Sequence, residues 1–255
     1  MKSMLLGGAM CLVSSACALA ADMAVPPMGV PLAPPPFTWT GCYAGAQVSG
    51  GWGQKNLSDP NDILAPISLP PLPGVNLSTS GWVVGGQIGC DYQFAPRWVV
   101  GIDGDASGGN IGGNTNAALP AVPGDVVNFN VRTDFLASIT GRVGYAWDRW
   151  LFYTKGGAAW AGDNYGAADV LGMFGFQGAE TRIGWTAGAG VEWALWNNWA
   201  VKLEYDYYGF GTRSVTFIDN TISGIIGNVD IKQNIQVVKL GVNFHVWADG
   251  PPVRW

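Results

Sequence analysis

The 255-residue sequence predicts an all-β fold, an eight-stranded antiparallel up-and-down barrel. Three observations predict it. Apolar and polar residues alternate with period two through eight segments, the signature of strands with two unlike faces. A unit of about fifty residues repeats (strand, tight turn, strand, long connection), which marks an array of like supersecondary units. Only 12% of residues are charged, about half the roughly 25% of a soluble domain.

The chain opens outside the fold. Met1-Lys2 is followed by apolar or small residues to Ala20, and Ala18-Leu19-Ala20 has the small-x-small form of a cleavage site. Residues 1–20 therefore read as a secretory signal peptide. Ser14 stands where a lipoprotein would need Leu before Cys17, which argues against lipidation. Residues 21–37 hold six Pro and read as an extended periplasmic linker. Residues 38–247 form the barrel and 248–255 a short C-terminal extension.

The repeat is carried by Trp98, Trp150 and Trp199, spaced 52 and 49 residues apart, each preceded by a Gly-punctuated strand. The eight strands are placed at 39–52, 81–94, 98–107, 134–146, 150–162, 181–194, 199–209 and 232–246. Short connections fall near Pro96, Asp148 and Leu195 to Asn198. Long ones fall at 53–80, 108–133, 163–180 and 210–231 and read as surface loops.

One face of these strands is apolar, with residues such as Val48, Ile88, Ile102, Ile139, Phe152, Leu203 and Leu240. The other carries acids (Asp91, Asp103, Asp105, Glu192, Glu204, Asp206) and bases (Arg142, Lys155, Arg182, Lys202, Lys239) in near balance. A soluble ligand-binding barrel would turn the polar face to water. A membrane barrel turns the apolar face to lipid and the polar face inward. Four features favour the membrane. The charges balance and can pair within a narrow interior. The strands are long enough to cross hydrocarbon when tilted. Trp39, Trp98, Trp147, Trp150, Trp193, Trp196 and Trp199 cluster at the short-turn edge as an aromatic girdle. Short turns on one side and long loops on the other match periplasmic and extracellular ends. No window of 18 apolar residues follows the signal, and a mean hydropathy of +0.18 is too low for a helical bundle. The sheet must then close, because unpaired backbone groups are not tolerated in lipid.

With the strands placed, the sequence resembles a known family. Phe37 to Tyr43 (FTWTGCY), Gly86 to Phe94 (GQIGCDYQF), Trp98 to Asp103 (WVVGID), Gly141 to Trp147 (GRVGYAW), Tyr153 to Trp160 (YTKGGAAW) and Lys239 to Phe244 (KLGVNF) are similar, in order, to the small outer-membrane β-barrels of alphaproteobacteria. These are often called porin-family or outer-membrane immunogenic proteins. The resemblance implies an abundant antigenic envelope protein of the cell outer membrane, with no enzymatic activity. The family's last strand ends on an aromatic residue read by the insertion machinery. Phe244 fits that place, and the alternative is Trp255, beyond Pro251 and Pro252, which cannot join a ladder.

Chemistry-bearing residues are few. Cys42 and Cys90 share parity and end on neighbouring strands, so a disulfide is expected in an oxidising compartment. His245 is the only His and falls at the short-turn end, away from outer-leaflet chemistry. Two Cys and one His lack metal-ligand spacing, and no cofactor is expected. An eight-stranded interior is just filled by side chains, so the charges read as a packed network. The function expected is a structural, surface-exposed envelope protein. The alternatives are a narrow non-specific or ion-conducting pore and, more remotely, a lipid-modifying enzyme. Expected partners are outer-membrane lipid, the insertion machinery and a host or environmental ligand at the loops. A net charge of −5 argues against nucleic acid.

Overall fold

The computed structural model describes residues 37–58, 75–118, 126–169, 175–219 and 225–246, apart from residue 197. The signal peptide, the linker up to residue 36 and the extension from residue 248, with Trp255, lie outside the described residues.

The chain forms β1 (Gly41–Ser58), β2 (Val75–Gln93), β3 (Trp98–Ala118), β4 (Val126–Trp147), β5 (Trp150–Asp169), β6 (Gly175–Ala194), β7 (Trp199–Asp219) and β8 (Ile225–His245). Each strand pairs antiparallel with its sequence neighbour, and β1 pairs β8 to close the barrel. Closure gives the first and last strands the partners that lipid cannot supply.

At the short-turn end, Trp147 pairs Trp150 across a two-residue turn. Asp148 takes a φ of 55° there, a left-handed conformation that Asp tolerates better than most residues.

The strands are 18 to 22 residues long, about twice what crosses hydrocarbon. Much of what reads as loop in the sequence is therefore strand. Residues 53–57 pair with 75–79, and 110–118 with 126–134 lie in β3 and β4. The reason is the side chains above the lipid. There the outward residues become Gln54, Asn56, Ser78, Asn114, Asn130 and Asn164, so the apolar–polar contrast that marks a strand disappears while the ladder continues.

The inside-out pattern holds round the barrel. Val84, Ile88, Ile102, Ile139, Ile183, Leu203 and Leu240 are exposed on the outer wall, whereas Gln47, Asp103, Arg142, Lys155, Glu204 and Lys239 are buried. Inward glycines make this feasible. A Cβ on Gly101 would lie 2.0 Å from Asp91 Oδ1, and one on Gly188 1.9 Å from Asp206 Oδ1. Outward Gly141 has nothing within 4 Å of its Cβ position.

Candidate functional site

Five layers fill the lumen from the short-turn end upward. The first is apolar and contains Trp39, Val99, Ala146, Leu151 and Tyr153. The second is the charge network. The third is apolar, with Val83, Ile111, Leu136, Tyr208, Phe210, Ile235 and Val237. A smaller polar layer follows, and Leu77, Val131, Tyr165, Val215 and Ile231 close the far end.

The network has two centres. Lys155 Nζ lies 2.8 Å from Glu204, 3.2 Å from Asp103, 3.5 Å from Asp206 and 3.8 Å from Asp105. Lys239 Nζ bridges Asp206 at 2.7 Å and Asp105 at 3.1 Å, and Lys202 reaches Glu204 at 3.4 Å. Nearer the short turns, Arg142 forms a bidentate pair with Asp91 and lies 3.5 Å from Glu192. Its guanidinium stands between the rings of Tyr43 and Tyr153, 4.7 and 5.1 Å from their centroids. A buried charge must be paired to be tolerable, and these contacts supply the pairing.

The structure brings together ten of the eleven inward charges named from the sequence. Arg182 stands apart, in the upper polar layer, within 3.4 Å of Asp163, to which Lys55 also binds at 2.9 Å. Lys55 and Asp163 escaped the sequence reading because they lie just beyond strand ends set at 52 and 162, although they keep the inward parity. Two hydroxyls also escaped it. Tyr43 donates to Asp103 at 2.8 Å and Tyr153 to Glu204 at 2.7 Å. Both share the parity of Gln47 and Lys155, which could have identified them.

The aromatic girdle requires one correction. Trp98, Trp147, Trp150, Trp193, Trp196 and Trp199 are exposed on the outer wall. Trp39 is 1% exposed and plugs the lumen. It precedes β1 but keeps the inward parity of Tyr43 and Gln47. Its backbone N–H donates to Gln93 Oε1 at 3.0 Å, and Phe37 packs edge-on against its ring. A large apolar side chain gains more by closing the mouth than by joining the girdle. At the opposite interface Trp52, Trp82, Phe135 and Trp185 are exposed and form a second aromatic belt.

Cys42 pairs Cys90 in the β1–β2 ladder, and a disulfide joins their Sγ atoms at 2.04 Å on the outer wall. His245 is a lumen residue. Its Nε2 lies 3.3 Å from Glu192, and its ring packs against Trp39 and Tyr43. Phe244 is outward on β8, stacked edge-on with Trp199.

Comparison with known proteins agrees with this architecture. A family model described as an outer membrane protein beta-barrel domain matches residues 10–244. The 31 kDa outer-membrane immunogenic protein of Brucella melitensis biotype 1 is 28% identical over 250 residues, covering 96% of this chain and 99% of that protein. The 25 kDa outer-membrane immunogenic protein of Brucella abortus biovar 1 is 27% identical over 238 residues, covering 92% and 97%. Among solved structures, the outer membrane protease OmpT from Escherichia coli matches 82% of this chain and 98% of its own at 10% identity and a TM-score of 0.45. A likeness at that level carries no function across.

Proposed function

Because this chain belongs to the outer membrane protein beta-barrel family, we propose that it is a structural, surface-exposed component of the outer membrane that neither conducts nor catalyses. The observation that supports this most is the layering of the lumen. An ion crossing it would meet three apolar layers. Between the first two it would have to displace buried Lys155 and Lys239 from their carboxylates. Shedding its hydration in apolar surroundings costs an ion far more than a narrow pore returns. The same network joins strands on opposite sides of the barrel, as in Lys239 of β8 with Asp105 of β3. It thereby stiffens a wall whose outside is lipid. His245 engages a carboxylate and two aromatic rings in the lumen at the short-turn end, which is poor placement for chemistry on outer-leaflet lipid.

Its partners on this reading are outer-membrane lipid along the wall, the insertion machinery at the last strand and an environmental or host ligand at the outer loops. Planar-bilayer recording on refolded protein tests the sealed lumen. No reproducible current steps are expected. Steps that disappear on neutralising Asp103 and Arg142 would establish a pore instead.

A further inference from the structure

We propose that the outer wall above the lipid band carries a saccharide site, formed where β6 and β7 part, and that it takes the sugar headgroup of an outer-leaflet glycolipid. This rests on the outer-membrane placement and is independent of whether the lumen conducts.

Two bulges build the site. On β7, Gly209 faces Asn234 and Gly211 faces Gln233, so Phe210 is an extra residue. Gly211 takes a φ of +65°, which a glycine adopts without strain. The bulge turns Phe210 into the apolar middle layer of the lumen and draws β7 out of register with β6. The β6–β7 ladder runs as far as Trp185 with Gly209 and resumes only at Gln177 with Ile218. Gly184 still lies against Gly209 and Phe210, and residues 178–183 of β6 have no ladder partner on β7. Backbone N–H and C=O groups need partners. The whole stretch is paired with β5, so only every second residue turns its N–H and C=O toward β7, just above the exposed aromatic belt of Trp185 and Phe135, where the wall leaves hydrocarbon.

The second bulge is on β4. Thr133 faces Asp163 and Phe135 faces Gly162. Asp134 is the extra residue and turns outward, where it accepts from Asn164 Nδ2 at 2.6 Å and pairs with Arg132. A trough of about 650 Å³ runs over this wall from Asn130 and Arg132 past Asn164 to Gln177 and on to Thr216 across the open seam.

The chemistry of the trough selects sugar over phosphate. Its only base, Arg132, is already matched by Asp134. The remaining polar side chains are the carboxamides of Asn130, Asn164 and Gln177, of which Asn164 already donates to Asp134, and the hydroxyls of Tyr165 and Thr216. A carboxamide donates and accepts side by side, which suits adjacent sugar hydroxyls. An outward wall facing water alone would be expected to carry mixed charges, and this one carries Asn130, Asn164 and Gln177 beside a single ion pair. Exposed Phe135, beside Gly162, lies on the lipid side of the trough.

The test uses the full barrel in lipid nanodiscs and reads amide hydrogen exchange at residues 178–183. The probes are a disaccharide-bearing diacylglycerol, the same lipid without sugar, phosphatidic acid, the free disaccharide and an extended peptide. Protection by the glycolipid, and by free disaccharide only at higher concentration, supports the site. The triple variant Asn130→Ala, Asn164→Ala, Gln177→Ala should weaken glycolipid binding by about tenfold, as loss of several hydrogen bonds to a polar ligand would. All three side chains are exposed, and unchanged heat-dependent gel mobility shows that the variant has folded. Equal protection by the sugarless lipid or by phosphatidic acid would overturn the proposal. So would protection by peptide alone, which would mark the seam as a strand-addition site, or unchanged binding by the triple variant.

Discussion

Lys155 of β5 meets Glu204 of β7 at 2.8 Å across the β6 strand that separates them, with both side chains buried. The contact bridges next-nearest strands on the concave, inner face and is available only once the sheet has curved. It anchors a cluster in which Lys155 also faces Asp103, Asp105 and Asp206. Lys155→Met should destabilise the barrel by about 3–5 kcal/mol, the cost of leaving buried charge uncompensated. The exposed Lys232→Met should change little. Urea midpoints followed by the gel shift between unheated and boiled protein would measure both. A midpoint for Lys155→Met equal to wild type would show that the network does not hold the barrel.

Gly188 and Gly141 separate room needed from room merely present. Gly188→Ala places a methyl 1.9 Å from Asp206 Oδ1 and 2.6 Å from the Tyr205 carbonyl oxygen. It should cost about 1–3 kcal/mol by overpacking. Gly141→Ala, whose Cβ meets nothing within 4 Å, should be near neutral. Equal effects of the two would argue that inward glycine has no packing role.

Trp39→Ala opens the short-turn mouth and leaves the other two apolar layers in place. The loss of stability should be about 3–5 kcal/mol, as for other buried Trp truncations, and the bilayer current should stay absent. A current appearing in this single variant would mean that Trp39 alone gates the lumen.

Cys42 and Cys90 close a 48-residue separation. Peptide mapping without reductant should recover the two linked, and their replacement by Ser should lower the unfolding midpoint. In the chain-entropy account the loss is at most about 4 kcal/mol. Two free thiols in the unreduced digest would remove the bond from the description.

Trp150 and Trp193 face each other across the β5–β6 ladder and stack 5.4 Å apart. A double-mutant cycle to Ala should return a coupling of about 0.5–1.5 kcal/mol beyond the area each buries. Zero coupling in lipid would make them independent anchors.

The eight strands, their direction and the inward set from Asp91 to Lys239 were legible in the sequence. Period two forces successive side chains to opposite faces, and lipid outside a barrel inverts which face is polar. Legibility failed where one of those conditions lapsed. Above the lipid the outer face is also polar, so the alternation faded and Lys55 and Asp163 were lost with it. Trp39 reads as girdle from its place at the short-turn edge, although it shares the inward parity of Tyr43 and Gln47. A single inserted residue, Asp134 or Phe210, shifts parity without leaving a mark in composition.

The sequence by itself determined the alternation, the scarcity of charge and the short-turn interface, because each follows from the solvent a residue faces. Only the tertiary structure decided which charge meets which, that Trp39 seals the lumen, and that β6 and β7 part above the membrane. Those depend on the register between strands, and closure fixes that register through contacts between residues as distant as Asp105 and Lys239.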